Sequence, residues 1–177
     1  MTLLTLTQLF LALAFANAYA EKPRETSPQF SEAKSIVNRI DRDLRSLNSS
    51  SQTFVTGTDR GGRITIYRQD SRVVRIDLTV GFSNTDRSDT FYYSMGNLIF
   101  VKSKKVRYPY SESKGFDFKK PEAVFESRYC VVGHGLASVG KSENLDAATA
   151  SGLIRDAGYL MRAVENNQRI DGERLMK

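Results

Sequence analysis

The chain has 177 residues, with 26 Lys and Arg against 20 Asp and Glu, which gives a formal net charge of +6. Its length suits one domain with its own hydrophobic core, and its basic balance favours anionic partners. Because Cys130 is the only cysteine and His134 the only histidine, the composition excludes an intrachain disulfide and argues against a zinc site.

The first twenty residues carry no charge and contain an apolar run centred on residues 9–15. The run leads into Ala18-Tyr19-Ala20, the small-x-small pattern that precedes signal-peptide cleavage, and then into the charged Glu21. The pattern predicts a signal peptide over 1–20, with cleavage after Ala20 or, alternatively, after Ala18. A membrane anchor is the competing interpretation, but the run is too short to span a bilayer of roughly 30 Å. We therefore expect an exported protein, periplasmic or secreted, without a transmembrane segment in the mature chain. The lack of disulfides favours a bacterial source.

Residues 21–27 are polar and are expected to form a flexible lead. Ser27 followed by Pro28 is a typical helix start, with the serine as N-cap and proline in the first helical position. After it, apolar residues recur at steps of three and four: Phe30, Ala33, Ile36, Val37, Ile40, Leu44 and Leu47. This spacing predicts an amphipathic helix of about five turns that ends at Asn48.

From Gln52 the period changes to two, which indicates strands. The predicted strands are 53–58, 62–68, 72–82, 89–94, 98–108, 123–132 and 136–141. In the third, Val74, Ile76, Leu78, Val80 and Phe82 are predicted to share one face. Most joints are short and rich in turn residues, and parallel crossovers need a dozen residues or more. The sequence therefore predicts an antiparallel meander of six or seven strands.

After Lys141 the period returns to 3.6, with Asn144 as a possible N-cap and an apolar stripe from Ala150 to Val164. The predicted fold class is α+β: the meander sheet flanked by an N-terminal and a C-terminal amphipathic helix, both on its apolar face. We place a single domain at 28–166 and a polar tail, expected to fray, at 167–177.

Gly135 to Ser142 reads GLASVGKS and fits the phosphate-loop pattern G-x-x-x-x-G-K-[ST]. That loop needs a parallel strand before it and a later strand carrying a metal-binding acid, and this region offers neither. The residues before it repeat the order found at Phe91 to Val101, in which strand formers precede a glycine-containing turn. We interpret Gly133-His134-Gly135 as a three-residue hairpin turn and expect no nucleotide and no cofactor.

Other catalytic or metal-binding patterns are weak. Cys130 is interpreted as a small buried hydrophobe, too far along its hairpin from His134 to form a dyad. Asn84, Asp86 and Asp89 share a predicted turn, but their spacing fits no calcium loop. We therefore predict no catalytic and no metal-binding residues, although a close pair of carboxylates remains compatible with a small hydrolase.

The strongest surface feature is the basic, aromatic stretch from Lys102 to Lys120. Cations interleaved with aromatic rings are typical of surfaces that bind single strands or acidic sugars. They are also typical of a lysine-protected edge strand with a loop that closes the core. The candidate partner-binding residues are Lys104, Lys105, Arg107, Tyr108, Tyr110, Phe116, Phe118 and Lys119.

Three functions follow from these patterns. The first is a non-enzymatic binding module, such as an inhibitor or cell-envelope accessory protein, with a protein or envelope ligand. The second is attachment to a polyanion, which would be an acidic glycan, a lipid headgroup or nucleic acid, through Lys102–Lys120. The third is a small hydrolase that uses carboxylates.

Overall fold

The computed structural model describes residues 27–140 and 147–175. Helix α1 spans Pro28–Asp43 and continues into a 3₁₀ turn, Leu44–Ser46. The side chain of Ser27 accepts a hydrogen bond from the backbone N–H of Phe30 at 3.2 Å, so the predicted N-cap is confirmed.

A seven-stranded antiparallel sheet follows, in the order β1-β2-β3-β4-β5-β8-β9. Its strands are β1 Asn48–Phe54, β2 Gly62–Gln69, β3 Arg72–Gly81, β4 Thr85–Ser94, β5 Asn97–Arg107, β8 Ala123–Val132 and β9 Gly135–Ser138. A small hairpin of β6 (Tyr110–Ser111) and β7 (Gly115–Phe116) lies between β5 and β8. Helix α2 spans Ala147–Glu165, and a final turn, α3, spans Gly172–Leu175. The predicted α+β meander with two flanking helices is confirmed.

The two long helices pack on opposite faces of the sheet, so the expectation that they share one face was wrong. Helix α1 packs with Tyr92, whereas α2 packs with the neighbouring residues Phe91 and Tyr93. Successive side chains of a strand point to opposite faces. We call these the helix-1 face and the helix-2 face.

Two β-bulges change which apolar side chains of the strands face each helix. Arg75 pairs with Tyr67 and Val73 with Arg68, which leaves Val74 as an extra residue in β3. Val74 therefore packs beside helix α1 rather than with Ile76, and the prediction of one shared face for this strand was wrong at that residue. In the β4–β5 pair, Tyr92 pairs with Phe100 and Tyr93 with Leu98, which leaves Ile99 as an extra residue in β5. Ile99, like Val74, packs beside helix α1.

The helix-2 face holds the larger core. Ile64, Ile76, Leu78, Phe91 and Val101 are fully buried beneath Leu153, Ala157 and Leu160 of helix α2. The buried hydroxyl of Tyr93 donates a hydrogen bond to the carbonyl oxygen of Ala157 at 3.0 Å. This bond satisfies the polar end of a side chain whose ring lies in the core.

Some element boundaries differ from the predicted ones. Residues 48–51, expected to end the helix, pair with β2 instead, and β4 begins at Thr85 rather than Asp89. The hairpin turns are shorter than predicted: Val132 pairs with Gly135, so the turn is Gly133-His134. Gly133 has a φ of 59°, which glycine adopts without strain.

Part of the tail expected to fray is packed. Ile170 and Leu175 are buried in the helix-2 core. Gly172 lies so close to Thr56 that a Cβ atom there would stand 2.0 Å from the Thr56 carbonyl oxygen. Among the described residues no helix has the length and apolar character needed to cross a membrane.

Candidate functional site

A polar network fixes helix α1 to its side of the sheet. One oxygen of Asp41 accepts hydrogen bonds from Arg75 and from the Tyr92 hydroxyl, both at 2.8 Å. The other accepts from Lys102 at 2.6 Å. Arg75 also donates from two nitrogens to both oxygens of Asp77, at 2.7 and 2.8 Å. The helix end and three strands are thus joined by charge-assisted bonds.

The network also sets the ionisation of its members. Partial burial by itself would raise the pKa of Asp41. The hydrogen bonds from Lys102 and Tyr92, together with the charges of Lys102 and Arg75, outweigh that effect and hold its pKa below the usual value. Asp41 is therefore a stable anion at neutral pH.

Beside this network, the helix-1 face is not covered by any part of residues 27–140 and 147–175. Two cross-strand rows, which we call the open strip, run over six strands and contain only polar or charged side chains. One row is Ser51, Thr65, Asp77, Thr90, Lys102 and Arg128. The next is Thr53, Arg63, Thr79, Ser88, Lys104 and Glu126. Each of these side chains is exposed or half-buried.

The dimensions of the open strip follow from sheet geometry. Six strands spaced about 4.8 Å apart give a length of about 24 Å, and two rows on one face lie about 7 Å apart. Half of its side chains carry hydroxyl groups, and the others bring both signs of charge. Lys104 is paired with Glu126 at 2.8 Å, whereas Arg63 and Arg128 form no ion pair within the described part of the chain. The open strip can therefore hydrogen-bond an extended ligand along its length.

The far end of the helix-1 face is bounded by an aromatic hairpin, residues 108–118. Tyr108 packs against Phe118 with ring centroids 5.1 Å apart, and Tyr110 against Phe116 at 5.0 Å. The Tyr108 hydroxyl donates to Asp86 at 2.8 Å, which ties the hairpin to β4. The segment predicted as a long loop is thus an ordered structure with its own small sheet.

Arg60 holds the aromatic hairpin in place. Its guanidinium lies 4.2 Å from the ring centre of Phe118 and is paired with Asp86. Its Nε donates to the carbonyl oxygen of Phe82 at 2.7 Å. A cation stacked on a ring and also bound to a carboxylate orients that ring firmly.

The outer side of this hairpin offers apolar surface. Tyr110 is 63% exposed and Phe118 is 44% exposed, although both rings also pack against other rings. Val124, 49% exposed, lies in the cross-strand row between the open strip and the hairpin. An apolar, aromatic border thus adjoins a polar strip, as in the anchor regions of many protein interfaces.

The structure separates the sequence-predicted partner-binding residues into groups. Lys104 faces the open strip, whereas its neighbour Lys105 points to the helix-2 face beside Phe125. Arg107 is paired with Glu122 at 3.2 Å. The four aromatic residues, Tyr108, Tyr110, Phe116 and Phe118, come together in the aromatic hairpin, and exposed Lys119 follows them.

Three predictions about other chemistry can be compared with the structure. Gly135–Ser138 forms β9, antiparallel to β8, while Lys141 and Ser142 of the phosphate-loop match and the predicted cap Asn144 lie outside the described residues. Cys130 is buried, as predicted, and burial raises the pKa of its thiol. Asp86 and Asp89 lie on opposite faces of β4, not in one turn as expected.

A pair of carboxylates does meet on the helix-2 face. Arg87 Nε lies 2.5 Å from Asp89, and Arg87 Nη2 lies 2.9 Å from Asp156 of helix α2. Burial raises the pKa of both carboxyl groups against the opposing effect of Arg87. Because the two side chains are 0% and 1% exposed, they join helix α2 to the sheet and are inaccessible to a substrate in this conformation.

Sequence reasoning missed Arg60 and most of the open strip, and it considered Asp86 only as a turn residue. Arg60 stands in no pattern of the sequence, because its partners Phe82 and Asp86 lie more than twenty residues away along the chain. The alternating polar residues of β3 indicate that one face of this strand meets solvent. The sequence does not show which residues of the other five strands lie beside them, because that depends on the register of strand pairing. Comparisons of the chain with protein-family models, with curated proteins and with solved structures find no match.

Proposed function

We propose that this chain is an exported, non-enzymatic binding module that holds an extended segment of a partner protein on the open strip and the aromatic hairpin. The observation that carries the proposal is the polar strip, about 24 Å long, which no described residue covers, with exposed Tyr110 and Phe118 at its border. Aromatic and arginine side chains supply most of the binding energy in protein interfaces.

The mixed charge of the open strip favours a polypeptide over a uniform polymer. Arg63 and Arg128 carry unpaired positive charge within the described residues, whereas Asp77 and Glu126 bring negative charge to the same rows. A partner with both signs of charge can match such a pattern in one register, and this matching gives specificity.

Photo-crosslinking tests the proposal. A photoreactive amino acid is placed at Thr79 in the strip, at Tyr110 in the hairpin, and, as a control, at exposed Arg155 on helix α2. We expect Thr79 and Tyr110 to crosslink the same native partner and Arg155 not to do so. The replacement of both Tyr110 and Phe118 by alanine should weaken that partner's affinity at least about tenfold. Equal crosslinking from all three positions, or none, contradicts the proposal.

A second candidate function, attachment to a polyanion, is favoured by one observation. Lys114, Lys119 and Lys120 lie in or just after the aromatic hairpin, and Lys105 lies on the other face of β5; none of them forms an ion pair among the described residues. Against it, Lys102, Lys104 and Arg107 are each held by a carboxylate. If this function holds, replacing Lys105, Lys119 and Lys120 by glutamine should lower the salt concentration that elutes the protein from heparin, whereas Lys34→Gln on helix α1 should not.

Export is tested separately, because the predicted signal peptide over 1–20 lies outside the described residues. The mature protein recovered from the periplasm or the medium should begin at Glu21. Recovery of the uncleaved chain inside the cell would contradict export without affecting the binding proposal.

A further inference from the structure

The turn end of the sheet, opposite the aromatic hairpin, contains a cavity of about 690 Å³ that the proposed function does not use. It lies between the β2–β3 turn, the β4–β5 turn and the C-terminal half of helix α2. Val73, Met161 and Val164 give it an apolar wall, and Met95 lies at the tip of the β4–β5 turn. We call it the tip cavity. Its volume is within the range of small-molecule sites.

Two arginines, Arg68 and Arg72, line the tip cavity beside this apolar wall. Arg68 donates to the Ser50 hydroxyl at 3.1 Å. Within the described part of the chain neither arginine is paired with a carboxylate. Glu165 is the one acidic side chain among the lining residues. The tip cavity therefore combines one apolar wall with a polar, arginine-lined side of net single positive charge, which suits a monoanion with an apolar body.

Met95 provides an independent observation. It has a φ of 51° and is followed by Gly96 at 79°, so the pair forms a two-residue turn with left-handed backbone. Asn, Asp and Gly are favoured at such a first position, and a bulky apolar residue there is costly. The side chain is also 88% exposed, so core packing does not explain it. An unfavourable backbone conformation that carries an exposed apolar side chain beside a cavity is typical of a ligand contact.

The other left-handed turn at this end shows the contrast. Asp70 and Ser71 have φ values of 48° and 67°, and both are small polar residues of the kind found in turns. Ser71 and Met95 both line the tip cavity, but only Met95 places a large apolar side chain at a left-handed turn position there. Methionine is flexible and polarisable, so Met95 and Met161 can adapt to an alkyl chain.

We propose that the tip cavity binds a fatty acid: the acyl chain lies against Val73, Met161 and Val164, Met95 covers it, and the carboxylate is held by Arg68 and Arg72. A second cavity of about 430 Å³, towards helix α1, shares Arg72, Val73 and Met95. The acyl chain can extend into it around the tip of β4–β5.

Calorimetric titration of the full chain with dodecanoate, below the concentration at which it forms micelles, tests this proposal. Dodecyl maltoside is the uncharged control with an alkyl chain of the same length, and dodecyl phosphate is the dianionic control. We expect saturable binding of dodecanoate with one site, and at least tenfold weaker binding of the maltoside. Absence of dodecanoate binding, or equal binding of the maltoside, overturns the proposal, and preference for the phosphate overturns the choice of a carboxylate head.

The Met95→Asn variant separates a binding role from a structural one. Asparagine suits the left-handed turn, so the melting temperature should stay equal or rise while dodecanoate affinity falls at least tenfold. Arg72→Gln should have a similar effect on affinity, and Arg63→Gln on the open strip should have none. Unchanged affinity in both Met95→Asn and Arg72→Gln places any binding elsewhere and overturns the assignment.

Discussion

On the helix-2 face half-buried Arg87 holds two buried carboxylates, Asp89 and Asp156, whereas on the helix-1 face Asp41 and Lys102 meet at the edge of solvent. Both groups join a helix to the same sheet. The two carboxylates of the first group are fully buried beside the large apolar core, and the second group borders the open strip. Removal of a charged partner should therefore lower the free energy of unfolding more on the helix-2 face than on the helix-1 face, because the cost of an unpaired charge rises steeply with burial.

The largest expected effect comes from removing the shared cation of the buried group. Arg87→Met removes the cation that Asp89 and Asp156 share, and leaves Asp89 with the Ser103 hydroxyl and Asp156 with Arg155 at 3.5 Å. We expect a loss of about 3–5 kcal/mol in the free energy of unfolding at pH 7. Urea unfolding followed by circular dichroism measures it. The matched control, Arg63→Met on the open strip, should change stability by less than about 0.5 kcal/mol. Similar losses in the two variants would remove the distinction between the faces.

A smaller effect is expected on the other face. Asp41→Asn weakens the bonds from Arg75 and Lys102 and should cost about 1 kcal/mol, since the group is partly screened by water. Because the folded state lowers the pKa of Asp41, this stability is present above its ordinary pKa of about 3.9 and is lost as the pH falls through the lowered value. Asp43→Asn at the exposed end of the same helix is the control. A cost that stays constant as the pH falls from 7 through the acid range would contradict the role of the Asp41 charge.

The smallest expected effect is a change in pH dependence. Arg87, Arg155 and Asp89 surround Asp156, and burial raises the pKa of both carboxyl groups in the folded protein. The folded state therefore keeps protons that the unfolded state releases, and stability falls as the pH rises above about 3.9 through the raised values.

Asp156→Asn removes one of these carboxyl groups while retaining an oxygen for Arg87. We expect its stability to fall less than that of the wild type between pH 4 and pH 8, as measured by thermal unfolding at a series of pH values. The two curves should be closest at low pH. Parallel curves would show that Asp156 keeps an ordinary pKa in the folded protein.

Much of the fold followed from local patterns. The period of 3.6 from Phe30 to Leu47 and the period of two in β2 and β3 identified the element types, since side-chain direction repeats with these periods. Short turns such as Met95-Gly96 left only antiparallel connections. The serine-rich residues 48–51 were assigned wrongly because they lack an apolar pattern, and pairing with β2 decides their conformation.

The candidate site was predictable only in part. The four aromatic residues between Tyr108 and Phe118 are close in sequence and were predicted as candidate partner-binding residues. The structure brings their rings together. Their partner Arg60 is distant in sequence, and its role depends on the approach of the β1–β2 connection to the end of β5. The separation of Lys104 from Lys105 follows from strand geometry, but which face each lysine meets depends on where the helices pack.

The sequence by itself determined the α+β class, the meander order and the start of helix α1, because these depend on neighbours along the chain. The tertiary structure alone decided that the helices cover opposite faces, that Arg87 lies between two buried carboxylates, and that the polar rows from Ser51 to Arg128 form one strip. The physical reason is register: extra residues at Val74 in β3 and Ile99 in β5 shift which side chains face each helix. Such shifts arise from pairing between strands.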